Sequence, residues 1–136
     1  MILIVDDERR YIDQYKLELV LCGYNDQVRL ETNVDAALEF AEGNLAGIQL
    51  LILDIMMPSG QSFKGTNTDS GLRTGVQFYE RIRKQAPTLP VIILTNVGDP
   101  ELEARFERET YCWFMKKTNY YPHEFVEEVQ KIVPLP

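Results

Sequence analysis

Charged and hydroxyl side chains directly follow four of the apolar segments in this sequence. Crossover connections in a parallel sheet keep all strand directions the same, so the ends of such segments emerge at one edge of the sheet. The sequence therefore predicts that carboxylates, a hydroxyl group and an ammonium group converge in one cleft. The residues that follow the apolar segments are Asp6 and Asp7, Asp54, Thr95, and Lys116 and Lys117.

A cluster of three carboxylates requires a compensating cation. Two like charges ~4 Å apart repel by about 4 kcal/mol at a protein-like dielectric, so Asp6, Asp7 and Asp54 would be unstable together without one. Oxygen ligands with room for water favour Mg²⁺, with Mn²⁺ as an alternative, and the sequence has no His or Cys cluster that would favour zinc. Lys117 adds a second positive charge. The set predicts a site for a phosphoryl group.

The three acids are expected to differ in role. Asp54 stands alone at the end of its apolar segment, whereas Asp6 and Asp7 are adjacent and better placed as metal ligands. We therefore interpret Asp54 as the nucleophile. A carboxylate that attacks phosphorus gives an acyl phosphate, to which the Thr95 hydroxyl would donate a hydrogen bond.

Five short segments rich in Val, Ile and Leu alternate with longer stretches of helical spacing. This is the pattern of a parallel sheet with crossover helices. Three of the segments are apolar without alternation, as expected of central strands covered on both faces, whereas the second segment alternates and is predicted at an edge. The predicted strands are 2–5, 28–31, 48–53, 91–94 and 111–115.

Apolar residues three or four positions apart predict five helices between and after the strands. We expect Gly23 to stop the first helix, Thr32 to cap the second with Asp35 three residues on, and Pro122 to open the last. Residues 59–74 are crowded with Gly, Ser, Thr and Asn, and are predicted to form a long mobile loop. The predicted helices are 12–22, 34–45, 76–82, 100–106 and 122–133.

Length and charge restrict the possible functions. A chain of 136 residues has the usual size of one domain and leaves no room for a second output module. The formal net charge of −7 repels both a phosphate backbone and an anionic bilayer, so neither nucleic acid nor a membrane is expected as a direct partner.

The ends of the chain and its cysteines favour a cytoplasmic protein. No apolar run approaches the roughly 20 residues of a membrane span, and no secretory signal follows Met1. Cys22 and Cys112 are expected to be small buried apolar side chains in a reducing compartment. Pro134 and Pro136 are interpreted as a natural end or the start of a linker.

Four motifs follow one another along the chain, each at a predicted strand end. They are IVDDE at 4–8, LDIMMP at 53–58, LT at 94–95 and FMKKT at 114–118. Together they resemble the receiver domain of response regulators in two-component signalling, over essentially the whole chain. The resemblance implies a single receiver domain at 1–136 with an insertion at about 59–74. Its fold would be a flavodoxin-like three-layer α/β sandwich, with a five-stranded parallel sheet of order 2-1-3-4-5 and five helices.

The resemblance also implies a metal site and a phosphoryl acceptor. Asp7, Asp54 and the backbone carbonyl of Met56 would bind Mg²⁺, with Asp6 acting directly or through water. Asp54 would accept a phosphoryl group from a histidine kinase or a phosphotransfer protein. Lys117, rather than Lys116, matches the lysine of the family.

The same resemblance implies a switch rather than an enzyme acting on a separate substrate. Thr95 would move toward the phosphoryl group and Phe114 would turn inward behind it, which changes the surface offered to a downstream effector protein. The phosphorylation and dephosphorylation of Asp54 would be self-catalysed.

Two features depart from the family pattern. Asp54 and Thr95 are 41 positions apart, about ten more than usual, and the excess lies in 59–74. Asn96 replaces the small residue that often follows the threonine. Phe63 and Leu72 are the large apolar residues of the insertion, and we interpret them as anchors that hold it as a partner-specific contact. Since neither Met56 nor Val97 carries an acid or an amide to position water, a slowly decaying phosphoryl state is expected.

Three other interpretations remain open. A degenerate receiver would act as a phosphorylation-independent docking module with the same fold. A phosphatase resembling the haloacid dehalogenases also uses an Asp nucleophile, but it would have a second Asp where Met56 stands. Asp6 and Asp7 could alternatively cap the first helix without any chemical role.

Overall fold

The computed structural model describes residues 1–67, 71 and 73–135. Its strands form one parallel sheet in the order β2-β1-β3-β4-β5, as predicted. The strands are β1 (Ile2–Val5), β2 (Val28–Glu31), β3 (Leu50–Leu53), β4 (Val91–Thr95) and β5 (Cys112–Lys116). Within the described residues five α-helices accompany them: α1 (Arg9–Leu19), α2 (Val34–Gly43), α3 (Thr74–Gln85), α4 (Pro100–Glu107) and α5 (Pro122–Ile132).

Helices cover both faces of the sheet, which confirms the three-layer sandwich. Successive residues of a strand point to opposite faces. Leu3 and Val5 of β1 therefore pack in the core shared with α2, α3 and α4, whereas Ile2 and Ile4 pack in the core shared with α1 and α5. Every residue of β1, β3 and β4 is buried. This burial on both faces explains why the central strands lack polar alternation.

The register of the sheet brings the ends of its strands side by side. Val5 pairs with Leu53, Leu53 pairs with Ile93, and Thr95 pairs with Lys116. The residues that come directly after β1, β3 and β5 therefore leave the sheet at the same edge.

Three of the predicted strands have a wrong boundary, and one of them is β4, which ends at Thr95, one residue later than predicted. β3 begins at Leu50, because Ile48 closes a 3₁₀ turn by donating its N–H to the Leu45 carbonyl. β5 begins one residue later than predicted and extends to Lys116. Tyr111 has φ 55°, so its backbone is left-handed rather than extended.

The helix ends also differ from the prediction. α1 ends at Leu19, and Gly23, with φ 116°, lies inside a following π-type turn. Asn33, not Thr32, caps α2, because its side chain accepts the N–H groups of Asp35 and Ala36. α2 ends at Gly43, two residues before the predicted end.

The structure shows the surroundings of one predicted anchor of the insertion and of both cysteines. Phe63 is 3% exposed and belongs to the core beneath α2 and α3. Leu72, the other proposed anchor, and Pro136 lie outside the described residues. Cys22 and Cys112 are only partly buried, in contrast to the prediction.

Of the helices in the described ranges, none is long and apolar enough to cross a membrane.

Candidate functional site

Four polar side chains are buried where the strands end. Asp6 follows β1, Asp54 follows β3, Thr95 ends β4 and Lys117 follows β5, and each is no more than 6% exposed. Folded proteins rarely bury acidic side chains and a lysine in this way unless the charges are paired. The structure therefore brings these four predicted residues together, while Asp7 lies beside them with an exposed side chain.

Lys117 joins the two buried acids. Its Nζ lies 2.7 Å from Oδ2 of Asp6, 3.3 Å from Oδ2 of Asp54 and 4.0 Å from Oε2 of Glu8. Lys116 points elsewhere, with its Nζ 3.7 Å from a carboxylate oxygen of Glu103 and about a third of its side chain exposed. The two adjacent lysines therefore have different environments, and it is Lys117 that contacts the buried acids.

The acidic residues form a group that suits a divalent cation. Asp6, Asp7 and Asp54 each offer one carboxylate oxygen, and these oxygens all lie within 4.8 Å of one another. Oδ2 of Asp6 is buried and receives no hydrogen bond from the described residues, although the Lys117 ammonium is close enough for an ion pair. A cluster of hard carboxylate ligands that includes a buried oxygen facing one ammonium fits Mg²⁺ or Mn²⁺.

The crowding of these charges changes their protonation. Burial, followed by repulsion from Asp54, raises the pKa of Asp6 to about 7. Desolvation in the cleft and the same charge also raise the pKa of Asp7. Burial lowers the pKa of Lys117, but the neighbouring carboxylates of Asp54 and Asp6 outweigh that effect and raise it overall. Negative charge therefore exceeds what one ammonium compensates.

Helix capping does not account for Asp6 and Asp7. The N-cap residue of α1 is Glu8, and no side chain caps this helix end by a hydrogen bond. Oδ1 of Asp6 instead accepts the N–H of Glu8 at 2.8 Å, which fixes the carboxylate at the start of the loop.

The backbone around Asp54 is held tightly. The Asp54 N–H donates to the Val5 carbonyl at 3.0 Å, and Oδ1 of Asp54 accepts the N–H of Ile55 at 2.8 Å. Gly75 donates its N–H to the Ile55 carbonyl at 2.8 Å. A Cβ atom on Gly75 would lie 2.0 Å from the Asp54 carbonyl oxygen, so only glycine fits. Our sequence reasoning missed Gly75, since only the tertiary contact reveals its role.

Thr95 and Phe114 occupy the side of the site next to α4. Thr95 is fully buried, and its Oγ1 accepts the N–H of Val97 at 3.2 Å. Phe114 is partly buried and stacks on Phe106 of α4, with ring centroids 6.2 Å apart. Leu102 and Phe106 are the buried residues of α4, and Phe106 also packs edge to face against Tyr79 of α3, with ring centroids 5.1 Å apart.

A cavity of about 440 Å³ opens next to Lys117. It lies between α1, the end of β4 and the loop that enters α5. Asn96, which follows Thr95, is in its wall. The other lining residues are Tyr11, Gln14, Tyr15, Thr118, Asn119, Tyr120, Tyr121, Pro122 and Glu124.

Comparison with known proteins adds a family and a set of similar folds. The family described as "Response regulator receiver domain" matches residues 2–119. No curated protein sequence matches the chain.

Three solved structures illustrate the similarity of fold. The receiver domain of NtrX from Brucella abortus is 24% identical with a TM-score of 0.73, and all of both chains is covered. The Vibrio cholerae chemotaxis protein CheY4 is 22% identical with a TM-score of 0.72, covering 97% of each chain. A response regulator receiver domain protein from Clostridium thermocellum is 22% identical with a TM-score of 0.73, covering 97% of this chain and 92% of that one.

Proposed function

Because this chain belongs to the response regulator receiver domain family of two-component systems, we propose that it accepts a phosphoryl group on Asp54 in a Mg²⁺-dependent reaction. The donor is a histidine kinase or a phosphotransfer protein. Receiver domains are signalling switches, and the product here is a changed protein surface. The observation that carries this proposal is the convergence of Asp54 with Asp6, Asp7 and Lys117 at one edge of the sheet.

The chemistry follows from the charges in the cleft. A carboxylate oxygen of Asp54 attacks phosphorus of the donor phosphohistidine, a P–O bond forms, and the P–N bond breaks as the imidazole leaves. Lys117, 3.3 Å from Asp54, supports the negative charge on the transferred oxygens. Asp6, Asp7, Asp54 and the Met56 carbonyl would hold Mg²⁺, which neutralises charge on the phosphoryl oxygens when it is bound.

Thr95 and Phe114 would couple phosphorylation of Asp54 to a change at the protein surface. In the proposed phosphorylated form, the Thr95 hydroxyl leaves the Val97 N–H and donates to a phosphoryl oxygen. The space that the Thr95 side chain vacates would then admit Phe114. In the structure described above, before phosphorylation, Phe114 stacks on Phe106 of α4. α4 would shift as that stacking is lost, and the downstream effector protein would bind the altered face.

Residues 1–136 would act as one receiver domain with an insertion at about 59–74, in the cytoplasm, where histidine kinases and phosphotransfer proteins deliver their phosphoryl groups. The negative charge of −7 disfavours direct contact with nucleic acid, so the effector is expected to be a protein.

Intact-mass spectrometry tests the function directly. The wild-type protein and Asp54→Ala are exposed to acetyl phosphate with Mg²⁺ and with a chelator. We expect one phosphoryl addition that needs the metal and is lost in the variant. No addition with acetyl phosphate or any other donor would instead indicate the degenerate docking module, and rapid hydrolysis of unrelated phosphate esters would indicate a phosphatase.

A further inference from the structure

The insertion after Asp54 is fastened to α2 by a single carboxylate. Asp35 lies in the first turn of α2, and its side chain accepts the backbone N–H of Gln61 at 3.0 Å and of Ser62 at 2.7 Å. It also accepts the hydroxyl of Ser62. A carboxylate with three donors from one remote segment acts as a fixed anchor, and hydrogen bonds to a charged acceptor are stronger than neutral ones.

Two further residues fit this anchor closely. Gly60 has φ 59°, a backbone conformation that favours glycine, and a Cβ atom there would lie 2.5 Å from an oxygen of the Asp35 carboxylate, so any side chain would displace that carboxylate. Phe63 is 3% exposed, with its ring centroid 6.3 Å from that of Phe78 on α3. We call residues 60–63 together with Asp35 the latch.

The latch lies only two residues from a second point of attachment. Met57 donates its N–H to the Gly71 carbonyl at 3.0 Å, its own carbonyl accepts the Thr74 hydroxyl, and its side chain is 2% exposed. Pro58 and Ser59 alone separate Met57 from the latch. Met56 therefore lies in a segment that is held at Ile55 and Met57 and, just beyond Met57, at the latch.

We propose that Asp35 is a positioning residue for the metal site, because the latch fixes the backbone that presents the Met56 carbonyl to Mg²⁺. This inference rests on the proposed function, in which that carbonyl is a metal ligand. Mg²⁺ requires nearly ideal octahedral geometry, so a carbonyl on a loosened segment binds it less well. Among the described residues no group donates a hydrogen bond to the Met56 carbonyl, which keeps it available.

Calorimetric titration of the full chain with Mg²⁺ tests the proposal. Asp35→Ala removes the anchor from α2, and Gly60→Ala disrupts the same contact from the insertion. Since residues that orient metal ligands are worth roughly 10- to 100-fold in affinity and Asp35 acts one step further out, we expect both variants to raise the Kd for Mg²⁺ by roughly three- to tenfold.

Glu42→Ala is the matched control. Glu42 is also on α2 and binds Arg81 and Gln85 of α3, so its removal deletes the same charge and a comparable contact without touching the latch. We expect a Kd within about twofold of wild type. If Asp35→Ala and Glu42→Ala bind Mg²⁺ equally well while the wild type binds normally, the positioning role is wrong. If the wild type fails to bind Mg²⁺, the proposed function itself is wrong.

Amide hydrogen exchange on the metal-free protein separates positioning from general stability. Asp35→Ala should speed exchange at the Met57 N–H much more than at Ile52 in the middle of β3, because Pro58 and Ser59 alone separate Met57 from the latch, whereas Ile52 is paired with a strand on each side. Equal acceleration at both amides would assign Asp35 a purely structural role and overturn the inference.

Discussion

The ammonium nitrogen of Lys117 lies 3.3 Å from Oδ2 of Asp54, although 63 positions separate the two residues in the sequence. Both side chains are almost completely buried. Removing two such charges from water has a cost that their mutual attraction repays only when the geometry is good. The pair therefore holds a cation in place beside the proposed acceptor before any phosphoryl group arrives, which is the preorganisation that electrostatic catalysis requires.

Replacement of Lys117 by glutamine should slow phosphorylation without preventing metal binding. The variant lacks the charge that supports the transferred oxygens, so we expect the rate with acetyl phosphate to fall by about 100-fold. Lys116→Gln is the control, because Lys116 faces Glu103 at the edge of the sheet, and its rate should stay within about twofold of wild type. The rates are measured by intact-mass spectrometry, after circular dichroism shows that both variants fold. Equal rates for the two variants would remove Lys117 from the mechanism.

The contribution of Asp6 to the stability of the metal-free protein should decrease as pH rises. The pKa of Asp6 is about 7 in the folded protein against an ordinary value of 3.8, so folding favours the protonated form. The stability that Asp6 contributes is thus fully present below pH 3.8 and is lost as pH rises through about 7.

Asp6→Asn isolates this effect, because asparagine resembles the neutral acid at every pH. In urea unfolding with a chelator present, the variant should gain stability over wild type by roughly 1 kcal/mol or more at pH 8, and less at pH 5. Asp13→Asn, on the exposed face of α1, is the control for the removal of one carboxylate. A gain that is larger at pH 5 than at pH 8 would contradict the protonation assigned to Asp6.

A methyl group at position 75 should disrupt the loop that carries Asp54. Gly75→Ala places a Cβ atom against the Asp54 carbonyl, and we expect a loss of about 3 kcal/mol in the free energy of unfolding. Gly98→Ala is the control, since nothing lies within 4 Å of a Cβ atom there. Chemical denaturation measures both changes, and a Gly75→Ala variant as stable as Gly98→Ala would refute the close approach.

Loss of the Thr95 hydroxyl should uncouple phosphorylation from the switch. Thr95→Val keeps the shape of this buried side chain but cannot donate to a phosphoryl oxygen. We expect Asp54 to be phosphorylated still, while the fluorescence change of Trp113 on β5 upon phosphorylation falls to less than about half that of wild type. Thr118→Val, at an exposed position, should leave the signal intact. A full fluorescence response in Thr95→Val would exclude the hydroxyl from the switch.

The arrangement of the site could be predicted from the sequence because it depends on strand ends. Continuous apolar runs located β1, β3 and β4, and parallel direction then placed Asp6, Asp54 and Thr95 at one edge. The choice of Lys117 over Lys116 came from the family motif, and the distances to the carboxylates agree with it. Local sequence and topology were sufficient here.

The predictions that were wrong concern features decided by backbone geometry or by distant contacts. Thr32 and Asn33 are both good capping residues, and only the backbone decides that Asn33 caps α2. Asp35 was expected to take part in that cap, but donors from Gln61 and Ser62 hold its side chain. Tyr111 has a residue type that favours strands, yet its positive φ excludes it from β5.

Chemical mapping of the phosphorylated residue tests the central claim most directly. After reaction with acetyl phosphate and Mg²⁺, borohydride reduces an aspartyl phosphate to homoserine, and peptide mass spectrometry locates the change. Our account predicts homoserine at position 54 and at no other acid. Homoserine at position 6 or 7 in place of position 54, or a phosphoryl group that resists reduction because it is on His123, would contradict it.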